Sequence, residues 1–555
     1  MSIQSAYQAY QSGRFDAAER QIATYVTNRA SDGTALQLGA LIASARRDFQ
    51  TAIERIRLSL DDPTNRHEKL NTYGNILRAI GDDVSAESAF IASIETKPDY
   101  VMALYNLARL MFETTRPHEA AEQFAAVVAI NPDHTLAWRG YVNALLEGQR
   151  LDKAEEALKD AALPDAEKRY IRARFAFYRD DPERALSELS PCLADAQIGG
   201  AAFTLMLQIL HMSGRWDEAG ELMDRTLRKH PAHGGLWAAA IQSQYQSGDM
   251  DGAVSRLSQA PKDLTIRIVE LDMLIKRQQF DAAEALARDL LQSDPGHHAV
   301  MQRLCHAALG TGHYDLAQQV ADLGLQSQPN NQSYYAIKAT AGRAKGQNYR
   351  YYFDYERFVR PFDLDPPKGW SNMADFNRDL KDALDTLHGF EAAPLDQTLR
   401  QGTQTAPNLT FIDHPAIRGF FEAIDPAIRE YLDQIGYDPH HALLRRNSGG
   451  YHVRTAWSVR LGGGGFHVNH IHPEGWISSA YYVDVPEGEG KEGWIKFGEP
   501  SAPLNTALDQ GPEYDLQPKA GRLVLFPSYL WHGTYPIKDG KTRMTLPIDI
   551  LPARG

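Results

Sequence analysis

Three histidines and an arginine are the residues of this 555-residue chain whose spacing could do chemistry. His470 and His472 stand two apart in G-F-H-V-N-H-I-H-P, and His532 stands in L-V-L-F-P-S-Y-L-W-H-G-T. Side chains at i and i+2 of a strand share a face, so these two imidazoles can aim at one point that Ile471 does not share. His532 follows an apolar run that reads as a buried strand ending in a turn. An imidazole from there closes a three-ligand face on a metal and leaves the remaining coordination positions open.

Arg543 follows His532 by 11 residues, and Thr545 lies two further, on the same face of its strand. Arginine is always charged and forks to a carboxylate through two parallel hydrogen bonds. With Thr545 beside it, it suits an acid with two carboxylates, one on the metal and the other on Arg543. Open three-ligand sites serve non-haem Fe(II) oxygenases. His467 is a fourth histidine in the same stretch, placed to support the site or to face a substrate. Glu474 is an acid that could take part if His472 does not ligate. Gly462 to Gly465 lack the Lys-Ser/Thr sequel and following helix of a phosphate loop, and read as a close-approach turn at the rim of the site.

On these residues the chain resembles the Fe(II)/2-oxoglutarate-dependent dioxygenases, whose double-stranded β-helix carries H-x-D/E, a distal histidine and R-x-S/T. More narrowly, G-G-F-H-x-x-H-x-H-P, S-x-A-Y-Y-V and P-K-A-G-R-L-V-L-F-P-S-x-L-W-H-G-T are similar to a bacterial and phage group of such oxygenases. The resemblance covers roughly Tyr351 to the C-terminus. It implies Fe(II) held by His470, His472 and His532, and 2-oxoglutarate as co-substrate with its far carboxylate on Arg543 and Thr545. It also implies O2 as oxidant, decarboxylation to succinate and hydroxylation of a substrate C–H bond. The chain departs from the wider family at His472, where a carboxylate is usual. A histidine there can still ligate, and it makes the site more positive by one charge. Two other classes fit the residues less fully: a three-histidine enzyme of cupin type without 2-oxoglutarate, and a non-catalytic repeat scaffold.

The bulk numbers narrow the partners. There are 58 basic and 71 acidic residues, a net charge of −13, which argues against nucleic acid because phosphate contacts need a basic face. Cys192 and Cys305, the two cysteines, lie in helical patterns and read as buried thiols rather than a disulfide framework. The N-terminus lacks a basic start followed by an apolar core, and no apolar run approaches the length of about 18 residues that spans a membrane. A reducing cytoplasm, suited to Fe(II), is the expected location.

The stretch ahead of the histidines repeats. Ala18, Ala52, Ala86, Ala120, Ala154, Ala185, Ala219, Ala253, Ala283 and Ala317 are separated by 34 residues, except for intervals of 31 after Ala154 and 30 after Ala253. Around them recur G-R-F-D-A-A, G-R-W-D-E-A, G-D-M-D-G-A and G-H-Y-D-L-A, and K-P-D, N-P-D, D-P-G and Q-P-N close segments where proline stops a helix. The reading is two antiparallel helices per repeat with alanine at their close crossing. This resembles the tetratricopeptide repeat, to which the 34-residue period is specific. About ten repeats would stack into a right-handed solenoid with a concave face. Such an arm implies a protein or peptide substrate, with Asn75, Asn106 and Asn143 as candidates to bond an extended chain. A homodimer is compatible with the same surface.

The expected fold is therefore multidomain: an all-α tetratricopeptide-repeat solenoid over 1–331, a capping helix and linker over 332–360, and an α+β domain over 361–555 with a double-stranded β-helix, or jelly-roll, core. Pro361, Pro366 and Pro367 mark the boundary. Gln332–Phe358 reads as a last, aromatic-rich helix, Leu399–Thr405 as a polar loop, and Met373–Leu387, capped by Asn372, and Ala416–Ile435 as helices. From Ala442 onward, short alternating strands with turn signals dominate.

Overall fold

A computed structural model describes residues 2–28, 31–394, 397–486, 490–501 and 511–553. By its contacts the chain divides into two compact units, residues 1–168 and 169–553. The first is all helical. The second continues the helical pairs and then carries every strand found among the described residues.

The period seen in the sequence has a simple structural basis. Each of the ten spaced alanines is the fourth residue of its helix, from Ala18 in Phe15–Asn28 to Ala317 in Tyr314–Ser327, and all ten have no exposed surface. A larger side chain there would force the paired helices apart. The turns obey the same period. Gly13, Arg47, Gly81, Thr115, Gln149, Asp180, Gly214, Gly248, Gln278, Gly312 and Gly346 all have positive φ, the left-handed conformation that lets a chain leave one helix and enter the next. Glycine adopts it without strain. The two short intervals follow helices of 10 residues, Leu151–Asp160 and Met250–Gln259, where most partners have 14. Asn106 is buried and donates Nδ2–H to Asn71 Oδ1 at 2.8 Å, so this amide ties neighbouring repeats instead of facing a ligand.

The expected helix over Gln332–Phe358 ends at Ala344, because Gly346 repeats the left-handed turn. Short turns follow at Tyr349–Tyr351 and Tyr355–Phe358. Helices Met373–Asp385, with Asn372 capping Asp375 N–H, and Pro415–Ile435 lie where the pattern places them.

The strands are β1 (Arg360–Asp363), β2 (Leu399–Gln404), β3 (Tyr451–Ala456), β4 (Val459–His467), β5 (Ile477–Asp484), β6 (Ile495–Phe497), β7 (Tyr514–Leu516), β8 (Arg522–Pro527), β9 (His532–Thr534), β10 (Arg543–Leu546) and β11 (Ile548–Pro552). They build two antiparallel sheets. The larger runs β1-β8-β5-β10-β4-β2, with β11 pairing β5 and β3; the smaller runs β7-β6-β9. This is the two-sheet arrangement of a jelly roll. Central β5, I-S-S-A-Y-Y-V-D, is buried at all but its last residue, as a strand covered on both faces must be. Helix Met373–Asp385 covers one side, with Tyr481 donating its hydroxyl to Asn377 Oδ1 at 2.6 Å.

Two expectations are corrected here. Leu399–Thr405 is mainly strand: β2 pairs with β4 from Leu399 against His467 to Gln404 against Val459, with a bulge at Gln401, φ 53°. Gly462 to Gly465 lie inside β4, not in a turn. The close approach itself is real, since a Cβ on Gly465 would stand 2.7 Å from the Gln401 carbonyl oxygen.

Helix Gln332–Ala344 belongs to the repeats by period and to the strands by contact. Its first residue, Gln332, donates N–H to Pro473 O at 2.9 Å. Its Thr340 accepts the indole N–H of Trp531 at 2.9 Å, and its Arg343 donates to Gly498 O at 2.8 Å. Pro473 and Trp531 each adjoin one of the histidines singled out above.

Candidate metal centre

Beyond the end of β4 the chain bends at Asn469, and His470 pairs with His532 at the start of β9. Each backbone N–H donates to the other's carbonyl, at 2.9 and 3.0 Å. His472 N–H donates to Ser528 O at 3.0 Å. The side chains at i and i+2 share a face as expected, but on an extended segment past the strand instead of within it. His470, His472 and His532 thereby meet, with one ring nitrogen of each lying within 4.8 Å of the others.

Each ring is turned by what its Nδ1 touches. His470 Nδ1 lies 2.8 Å from Val468 O, His532 Nδ1 2.9 Å from Leu530 O, and His472 Nδ1 2.5 Å from Asp549 Oδ1. These partners only accept, so each Nδ1 carries a proton and donates it. That leaves Nε2 as the free nitrogen on the inner side. The Nε2 atoms of His470 and His472 are 3.3 Å apart, where two lone pairs repel unless a cation lies between them. This donor set suits a divalent first-row metal bound by neutral imidazole.

Electrostatics favours the neutral form at two of the three rings. Burial, and then the neighbouring His472, push the His470 imidazole down to about 3. Burial, followed by His470 and His472, holds His532 well below its ordinary 6.5. Burial also opposes charge on His472, but the Asp549 carboxylate outweighs it and raises this ring. His467 stays outside the cluster. It lies 6.1 Å from His470 between ring centres and touches Thr398 Oγ1 at 3.1 Å. Glu474 is also outside it, paired with Arg454 at 2.6 Å.

The cluster opens into a cavity of about 430 Å³ whose wall also includes Arg543, Thr545, Pro547 and Asp549. These are alternate residues of β10–β11, all turned one way by the two-residue period of extended chain. Arg543 is 3% exposed. Its Cζ lies 5.0 Å from the ring centre of Tyr482, and its Nε and Nη1 have no hydrogen-bond partner among the described residues. Burial lowers its pKa, though not enough to discharge a guanidinium. A buried, forked cation with two unpartnered nitrogens beside three imidazoles calls for an anion with two oxygens. Iron and a dicarboxylic co-substrate therefore fit the residues present. Sequence reasoning missed Asp549 as the partner of His472, although its place in the alternation of Arg543 and Thr545 carried the signal.

Comparison with known proteins agrees with this assembly. Residues 455–549 match the family model described as "Putative 2OG-Fe(II) oxygenase", a span that includes all three histidines, Arg543, Thr545 and Asp549. Residues 112–174 and 274–341 match the tetratricopeptide repeat. No curated protein matches the chain. Among solved structures, similar chains include pilF of Pseudomonas aeruginosa, at 18% identity over 36% of this chain and 92% of that one, TM-score 0.31. A tetratricopeptide repeat protein from Parabacteroides merdae shares 13% identity over 50% of this chain and 98% of that one, TM-score 0.31. The C-terminal part of a repeat protein from Cytophaga hutchinsonii shares 12% over 43% and 99%, TM-score 0.36. Among the described residues no helix is long and apolar enough to cross a membrane. The chain thus joins a region that matches tetratricopeptide repeats to one that matches the model described as "Putative 2OG-Fe(II) oxygenase".

Proposed function

We propose that the protein is a 2-oxoglutarate- and Fe(II)-dependent dioxygenase that hydroxylates a protein or peptide recruited by its repeats. His470, His472 and His532 would hold the iron through Nε2. The observation that carries this reading is Arg543, a buried guanidinium with two unpartnered nitrogens in the same cavity as the three imidazoles. Iron with 2-oxoglutarate and O2 supplies oxidative decarboxylation of the co-substrate coupled to oxidation of a C–H bond.

The chain's own share is orientation and exclusion of water. Arg543 and Thr545 hold the far carboxylate and so aim the 2-oxo acid end at the histidines. Phe526 and Ile495 form apolar wall, which keeps the local dielectric low and strengthens the Arg543 pairing. Trp457, whose ring centre lies 6.1 Å from that of His472, forms wall on the side of that ligand.

A polypeptide substrate is supported by the first helices of the repeats in the second unit. Thr204, Gln208, Gln242 and Gln246, on helices Gly199–Met212 and Gly234–Gln246, line a recess of about 250 Å³ together with apolar Leu207 and Ala239. Amides and hydroxyls of this kind match the alternating donors and acceptors of an extended main chain.

The test is an anaerobic titration of the full chain with Fe(II) and 2-oxoglutarate, followed by visible absorption. A weak metal-to-ligand band that needs both additions, and is lost in His470→Ala, His532→Ala and Arg543→Ala, is the expected result. Metal binding that ignores 2-oxoglutarate would replace the reading with a cupin-type enzyme. Absence of metal binding would leave a scaffold.

A further inference from the structure

The three imidazoles are not held alike. His470 and His532 give their Nδ1 protons to neutral main-chain carbonyls, at 2.8 and 2.9 Å. His472 gives its proton to a carboxylate, Asp549 Oδ1, at 2.5 Å. That carboxylate also accepts the Ser478 hydroxyl at 2.9 Å, and Ser478 lies 2.9 Å from Ser528 Oγ. The main chain fixes the group as well, because Asp549 of β11 is registered against Ser478 of β5. The Asp549 side chain is only 16% exposed. It is thus a charge brought into the interior and aimed at one ring.

We propose that Asp549 is a positioning residue for His472. It fixes the ring with Nε2 turned toward His470 and His532, and returns to the site the negative charge that a carboxylate ligand would bring. The inference rests on the metal-binding reading above. A hydrogen bond to an ionised acceptor is about twice as strong as one to a carbonyl, so the His472 ring is held harder than the other two. A carboxylate behind an imidazole also makes the far nitrogen a better donor to a metal. Histidine in place of an acid therefore need not leave the centre one negative charge short. The charge has moved one ring outward, from the metal's contact shell to the far side of His472.

The alternative is that Asp549 only links β11 to β5 through Ser478. Two measurements on the full chain separate these. In anaerobic titration with Fe(II) alone, Asp549→Asn keeps the size and an acceptor oxygen but loses the charge, and should bind iron about 10- to 100-fold more weakly than wild type. In wild-type protein labelled with 15N-histidine and loaded with Zn(II), the His472 ring should carry the metal on Nε2. Its Nδ1 proton should lie downfield of those of His470 and His532 and be protected from exchange with water. This second reading does not depend on whether the variant folds. Wild-type iron affinity in folded Asp549→Asn would overturn the proposal, even with a lower melting temperature. So would metal on Nδ1 of His472, or a freely exchanging Nδ1 proton. If wild type itself binds no Fe(II), the metal reading fails and takes this one with it; if wild type binds and the variant binds equally, only the role of Asp549 is lost.

Discussion

His470 and His532 exchange both of their backbone hydrogen bonds, at 2.9 and 3.0 Å, so the main chain alone sets two imidazoles side by side. Beyond that pairing, each ring touches the main chain only through Nδ1, at Val468 O and Leu530 O, both near in sequence. His470→Ala and His532→Ala should each weaken Fe(II) binding by more than about 100-fold, as expected when one of three ligands is removed, and should leave the circular dichroism spectrum unchanged. Anaerobic titration checks the first point. Near wild-type affinity in either variant would remove that residue from the site.

Arg543 makes the opposite trade. Burying a charged group with unmet hydrogen bonds costs about 1–3 kcal/mol or more, partly offset by the Tyr482 ring beneath it. Arg543→Met should therefore raise the melting temperature of the ligand-free protein while removing 2-oxoglutarate binding. Excess 2-oxoglutarate, at about 100 times its dissociation constant, should stabilise iron-loaded wild type by roughly 2.7 kcal/mol and the variant not at all. Thermal denaturation with and without the acid reads both signs. A less stable variant that still responds to 2-oxoglutarate would contradict the assignment.

Stability should fall in mild acid. His388 is 7% exposed, and its ring contacts Thr403 Oγ1 at 2.8 Å and Ser458 Oγ at 3.0 Å. Burial, aided by Arg460, pushes it from 6.5 down to about 4. Between these values the unfolded chain binds a proton that the folded chain refuses, so unfolding free energy decreases as pH falls through this window and is fully retained above it. A shift of this size corresponds to about 3 kcal/mol at most. His211 and His306, held down to about 4 by burial, act in the same direction. Denaturant midpoints measured from pH 7 to pH 5 should drop, and His388→Asn should shallow the slope. An unchanged slope would mean that the ring is not held neutral.

Thr340 is the acceptor for the buried Trp531 indole. Thr340→Val keeps the shape and strands that N–H, which should cost about 1–2 kcal/mol of stability. Chemical denaturation of the two proteins checks it. A loss within error would indicate that the indole finds another partner.

Much of the site was legible because it depends on short-range periodicity. The i, i+2 relation of His470 to His472 and of Arg543 to Thr545 holds wherever the chain is extended, even though His470 and His472 lie past the end of β4. The repeats were legible for a similar reason: alanine is needed at each close helix crossing, and the crossing recurs. Leu399–Thr405 escaped because its strand character comes from pairing with β4, while its own residues, including Gly402 and a bulged Gln401, have weak strand preference. The bond from His472 to Asp549 joins positions 77 apart in sequence. The alternation from Arg543 through Thr545 turns Asp549 toward the cavity, but nothing local to it singles out His472 as its partner.

Helix Gln332–Ala344 has a consequence for cutting the chain. A fragment begun at the proline-rich junction near Arg360 would look like a clean strand domain. It would lack the hydroxyl that meets the Trp531 indole and the N–H that meets the Pro473 carbonyl, next door to His532 and His472. The two halves of this protein are therefore not interchangeable cassettes. A graft of the strands onto another carrier needs that helix to travel with them, so the smallest portable piece begins at or before Gln332.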